Sequence, residues 1–405
     1  MSYYDETSRT VSYARHDTLE GLLQRGRGLG AQRARCDPKA AAPFVYDGIR
    51  QDWTWDSQCD DRGVYQARLI RDLKLSSAPA VDHLARDEEE CPRAADVLEL
   101  LALAGSDEAR EGLRAYIRMG KHWVVVLQSV ADSWPTEWWE DLGDVARARI
   151  GEEEELPWSA EPWSRFGIET PGRTFRPRPS LGGLSNEELL ALLAAVGTEF
   201  NTKIDALRAL AGREPAEGLI PLVPSLGTRD GSRPLPALRR AVDRLGALAL
   251  PAARGWAVDG REWLAGLGAD VLADHPGPEA LPGLVAELAE QWTARTWCGP
   301  DTTAGRLARF GPEAADAVPV LWRYWRHTAH SYERTDYLMA LAAIDPSGLD
   351  DAYFESLWDC EERARLLAIA SATHNPQTLQ RIAELRDDPM ETPEVRAAAG
   401  ARLAP

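Results

Sequence analysis

The chain reads as an all-α protein of antiparallel helix pairs stacked in a single curved layer. Three observations predict this. Apolar residues recur at helical spacing through most of the 405 residues. Gly, Ser and Pro stand where helices should stop and start, and no segment combines strand alternation with hairpin-turn chemistry. The expected organisation is a flexible N-terminal arm over 1–16, helical repeats over 17–150, an irregular strap or linker over 151–184 and further repeats over 185–405.

The opening "MSYYDETSRTVSYARHD" is polar and short of branched aliphatics, so it reads as a frayed arm with no export signal. "RGRGLG" at 25–30 lacks a preceding strand and is a weak match to a dinucleotide loop. In "CPRAADVLELLALAG", Ala94, Val97, Leu98 and Leu101 follow the i, i+3, i+4, i+7 pattern, and Gly105 is placed to end the helix. Ser106 can cap the next helix, whose stripe is Ala109, Leu113, Tyr116 and Ile117 and which Gly120 ends. The two form a helical hairpin with a short corner.

Proline and glycine are too frequent over 151–184 for a helix. Residues 137–155 hold eight acids and two arginines, and Arg165, Arg173, Arg176 and Arg178 follow. The strap is therefore expected either to lie on the acidic helix end or to cross a concave face. Ser185 then opens a capping box with Glu188.

The segment from 311 to 346 repeats the hairpin plan. Pro312 sits in a first turn, Ala314, Val318, Leu321 and Trp325 form one stripe, and a polar break around Ser331 leads into Leu338, Leu341 and Ala342. Asp345-Pro346 stops that helix. Thr392 and Pro393 mark the start of the last one. "GPEA" occurs at 277–280 and again 34 positions later at 311–314, and second helices share an early arginine, Arg334, Arg363 and Arg396, spaced by 29 and 33 residues. These arginines are expected to bridge neighbouring repeats as a structural ladder.

The "GPEA…AVPVL" helix with Pro319, the Arg334 helix and the "AAIDP" exit resemble HEAT-repeat proteins, especially short bacterial ones. The resemblance covers 275–405 best and 60–150 next, with spacings shorter than the roughly 40–47 residues usual for the family. It implies an α-solenoid that binds along its concave face or rim. It implies nothing about chemistry.

Composition sets the remaining limits. A charge of −18, from 64 acidic and 46 basic side chains, works against non-specific nucleic-acid binding. No apolar run is long enough for a membrane span. Lysine occurs only four times, an arginine bias consistent with a GC-rich bacterial source. The five cysteines, Cys36, Cys59, Cys91, Cys298 and Cys360, make no C-x-x-C pair, so neither a disulfide framework nor a cysteine zinc motif is expected, and a reducing cytoplasm is the simplest compartment.

Fifteen tryptophans are the outstanding excess. Trp134, Trp138 and Trp139 crowd one stretch, and only one of the adjacent pair can face a core. "WRYWRHTAHSYER" gathers Trp322, Arg326, His327, His330 and Tyr332 at a break expected on an exposed rim. These eight residues are the expected partner contacts, because Trp, Tyr and Arg dominate binding hot spots. His327 and His330 could share a helical face, but a metal needs a third ligand. No nucleotide, hydrolase or metalloprotease motif is present. The expectation is a non-catalytic scaffold for a protein or peptide, with no cofactor or metal. The alternative is a nucleic-acid enzyme like the HEAT-like alkylpurine DNA glycosylases, in which Trp138, Trp139 and Asp141 would supply the Trp and Asp of a basic cleft. A chromophore-lyase-like role, also found among short HEAT repeats, ranks below it.

Overall fold

A computed structural model describes residues 12–60, 62–86, 89–152, 161–169 and 181–404. Among them the regular structure is helical, and the one β-type pairing is an isolated bridge between Gly227 and Pro234. The chain forms two compact units that do not follow chain order. One joins Met1–Thr174 to Glu287–Pro405, and the other is Phe175–Ala286.

In the first unit, helices pack on their sequence neighbours and on their second neighbours. Glu90–Leu103 contacts Gly63–Asp72, Ala78–Leu84, Asp107–Met119 and Trp123–Ser133. Near the C-terminus, Arg334–Ile344 packs on Pro300–Ala308 and Val318–His327, and Pro393–Leu403 packs on Glu362–Ser371 and Pro376–Asp387. The two stretches of chain also meet, since Gly28–Cys36 touches Asp350–Ser356.

Local signals place the helix ends. Gly105 adopts φ +98°, and Ser106 Oγ accepts from Ala109 N at 3.2 Å. Thr392 caps the last helix through Val395 N. The 311–327 stripe is interrupted: Gly311–Ala317 is a 3-10 turn, and the α-helix begins at Val318. Pro319 explains this, because it has no N–H to give and its ring would meet the Ala315 carbonyl of a continuous helix.

The second unit holds the helices Asn186–Ala194, Phe200–Ala211, Leu238–Asp243, Leu250–Trp256 and Glu262–Ala273. The capping box of Ser185 and Glu188 opens the first. Its core is apolar throughout, with Leu207, Leu238 and Leu264 fully buried.

Within the strap, residues 161–169 dock on the first unit. Trp163 and Phe166 are buried, Phe166 meets Trp139 edge-on at 5.7 Å, and the Phe166 carbonyl accepts from Arg147 at 3.0 Å. Trp158, Arg173, Arg176 and Arg178 lie outside the described residues, as does most of the expected arm.

Candidate functional site

The centre of the first unit is polar. Three corners converge there: the loop before Gly63–Asp72, the break at 328–333, and the turn at 359–361. Asp60 is its hub. One carboxylate oxygen accepts from His330 Nδ1 (2.9 Å), Ser331 Oγ (2.9 Å) and Tyr332 N (3.0 Å), and the other accepts from the backbone of Trp55 and Asp56. Burial alone would raise this carboxyl. The His330 hydrogen bond and the Arg62 charge outweigh it and hold Asp60 well below the usual range. Burial likewise opposes a charge on His330, but Asp60 wins and its pKa is raised.

Ser331 Oγ accepts from Arg62 Nη1 at 2.7 Å and lies against both Asp60 and Glu361. With one hydroxyl proton to give, one of those carboxyls must be protonated for both contacts to be hydrogen bonds. Burial raises Glu361 while Asp60 is lowered, so Glu361 is the acid that takes the proton first.

From this hub a buried ionic seam runs through the unit. Arg334, at 1% exposure, pairs with Asp359 and donates to the Arg25 carbonyl at 2.5 Å. Arg365 grips Glu391 with two bonds of 2.8 Å and donates to the carbonyls of Asp359 and Cys360. Arg68 reaches Asp388 (2.8 Å) and Glu391 (2.9 Å). Arg27 makes a fork on Glu355 (2.6 and 2.8 Å) and lies 4.4 Å over the Trp325 ring.

The "RGRGLG" stretch belongs to this seam. Gly26 has φ +62°, and a Cβ there would lie 2.4 Å from Cys360 Sγ; at Gly28 it would lie 1.9 Å from the Glu355 carbonyl oxygen. The glycines let the backbone approach the distant corner, and the arginines between them supply the charge.

The predicted contact residues scatter by burial. Trp134 and Trp139 are buried, and Trp138 is half-buried, edge-on to Trp134 at 5.6 Å. His330 is also buried, so the break expected at an exposed rim lies inside the molecule, because the Asp60 loop covers it. Tyr332 at its edge remains exposed. His327 is half-buried, stacks on His16 at 3.6 Å and has its pKa pulled down to about 4 by burial and by His16.

Trp322 and Arg326 do reach the surface. They line a cleft of about 290 Å³ with His16, Leu29, Arg33 and Asp351, and the Arg27–Glu355 pair also lines it. The Arg326 guanidinium lies 5.0 Å over Trp322, which meets Trp325 edge-on at 5.4 Å.

The three ladder arginines also differ. Arg334 is the buried one. Arg363 makes a two-bond fork on Asp336 of the preceding second helix while 41% of its side chain is exposed. Arg396 is exposed and donates to the Arg386 carbonyl at 3.3 Å.

Asp141 is held by Arg114 at 2.6 and 2.9 Å, and the depression beside it carries Glu140 and Asp144 as well as Arg147 and Arg165. With Trp139 buried, this group does not form a basic cleft.

Apart from Arg334, the buried seam is not legible in the sequence. A further trace is that Arg27 and Arg62 stand beside glycine rather than on a polar helix face. Comparison with protein-family models, with curated proteins and with solved structures found no match to this chain. Among the described residues no helix is long and apolar enough to cross a membrane.

Proposed function

We propose that this chain is a HEAT-like α-solenoid scaffold that catalyses nothing and grips a peptide segment of a protein partner at the Trp322–Arg326 cleft. The carrying observation is the cleft itself. Trp322 offers an apolar face, and among the described residues Arg33 and Arg326 make no ion pair, although Asp17 and Asp351 also line the cleft. Trp and Arg at a preformed concavity are the side chains that carry most binding energy. The matching ligand is an apolar side chain beside a carboxylate. The consecutive helix pairs support the solenoid reading, and the buried seam beneath supplies a rigid floor.

The test is selection of peptides from a random displayed library on the full chain. Selected peptides should pair an aromatic or aliphatic residue with an acid. Trp322→Ala and Arg326→Ala should each weaken them about thirtyfold, the equivalent of about 2 kcal/mol, with helicity and melting unchanged. Selected peptides that bind both variants as well as the parent contradict the proposal, as does turnover of a small molecule or excision of a base by the purified chain.

A further inference from the structure

Among the described residues, two groups of His, Cys and acidic side chains have ligating atoms that all lie within 4.8 Å of one another: Asp56, Cys59 and His330, and Cys298, His330 and Glu333. Both contain His330. The third ligand that the histidine-rich break lacked in sequence therefore arrives from two other stretches of chain, 271 and 32 residues away.

The geometry at His330 is that of a metal-binding imidazole. Its Nδ1 is committed to Asp60 at 2.9 Å, and in the neutral ring an N–H given to that buried carboxylate fixes the tautomer that leaves Nε2 with a lone pair. Nε2 lies 4.0 Å from Cys59 Sγ and 3.9 Å from Glu333 Oε1. Around a tetrahedral zinc ion, with bonds of about 2.3 Å to sulfur and about 2.0–2.2 Å to nitrogen and oxygen, those pairs would stand about 3.6 and 3.4 Å apart. Each of these two pairs therefore needs to close by only about half an ångström, whereas Cys59 stands outside the Cys298–His330–Glu333 group and its loop must move further to join it. Glu333 is held in place, accepting from Gly299 N at 2.8 Å on one oxygen and from Tyr337 on the other. The thiols sit on non-helical backbone, Cys59 half-buried and Cys298 exposed, which leaves them room to move and gives an ion an entry path.

We infer that Cys59, Cys298, His330 and Glu333 form a zinc(II) site, with Asp60 as the carboxylate that orients the histidine. Two thiolates, an imidazole and a carboxylate are a donor set suited to zinc, and calcium or magnesium would instead take oxygen ligands. The ion would tie together the loop before residue 60, the turn at 297–299 and the corner at 328–333. This site stands apart from the peptide-docking reading, and either can hold without the other.

The full chain, purified under reducing conditions and stripped with a chelator, is titrated with zinc against a chromophoric competitor and with cobalt(II) by absorbance. One zinc per chain is expected, together with tetrahedral cobalt bands, a thiolate-to-cobalt charge-transfer band and a raised melting temperature. Cys59→Ser and Cys298→Ser should each weaken zinc at least a hundredfold and diminish the charge-transfer band. The zinc-free variants should keep the helicity and melting of the zinc-free parent, since neither thiol is in the core. Substoichiometric zinc, a cobalt spectrum without the thiolate band, or zinc affinity that survives either serine variant would overturn the assignment.

Discussion

The two compact units keep their shape by different means. Every buried polar or charged side chain among the described residues belongs to the unit that joins the N- and C-terminal stretches. The unit over Phe175–Ala286 buries apolar residues only. An apolar core is tolerant, since it asks for volume and pattern, whereas a buried ionic seam needs each partner present and aligned. The seam joins residues about 300 positions apart, as Arg27 to Glu355 and Arg68 to Asp388 illustrate.

That difference predicts unequal responses to mutation. Arg334→Ala leaves Asp359 buried without its partner, and chemical denaturation should show a loss of about 3–5 kcal/mol. Arg334→Lys should recover little of it, because lysine cannot reach both Asp359 and the Arg25 carbonyl with one planar fork. In the apolar unit, Leu264→Met should cost less than about 1.5 kcal/mol. Similar costs for the two conservative changes would erase the distinction.

Glu99 adds a pH dependence confined to the polar unit. It is buried, with one oxygen accepting from Ser133 at 3.0 Å, and burial raises its carboxyl from the ordinary 4.5 to about 7. The folded chain therefore holds a proton that the unfolded chain has released between those values. The associated stability is complete below pH 4.5 and is lost as pH rises through 7, by on the order of 3 kcal/mol. Glu99→Gln should remove this component from denaturation curves measured across that window. An unchanged slope would show that Glu99 titrates normally.

The smallest effect belongs to the exposed end of the same arginine series. Arg363→Ala breaks a half-exposed pair with Asp336 and should cost less than about 1 kcal/mol, and that cost should shrink in added salt. A loss as large as that of Arg334 would mean that the ladder acts as a unit.

What sequence could and could not disclose follows the same division. Helix ends were legible because their causes are local: Gly105, Ser106, Ser185 with Glu188, and Thr392 all act within one turn. The apolar stripes were legible because period reports which face is buried, and Ala94, Val97, Leu98 and Leu101 are buried together. One arginine of the series, Arg334, stood out by position, although its partners did not. Asp60, Arg62 and the "RGRG" glycines were missed because their meaning depends on contacts hundreds of residues away. The polar break was read as a surface for the same reason: His330, Ser331 and Glu333 look solvated until Asp60 is placed over them.

The central claim is that charge buried across the seam couples the two distant stretches of chain. A double-mutant cycle on Arg27 and Glu355 tests it most directly, with Arg27→Met, Glu355→Leu and the double variant compared by chemical denaturation. Each single change should cost about 3–5 kcal/mol, and the double should cost at least about 2 kcal/mol less than their sum, because neither charge is then left buried alone. Additivity to within about 0.5 kcal/mol would contradict the account.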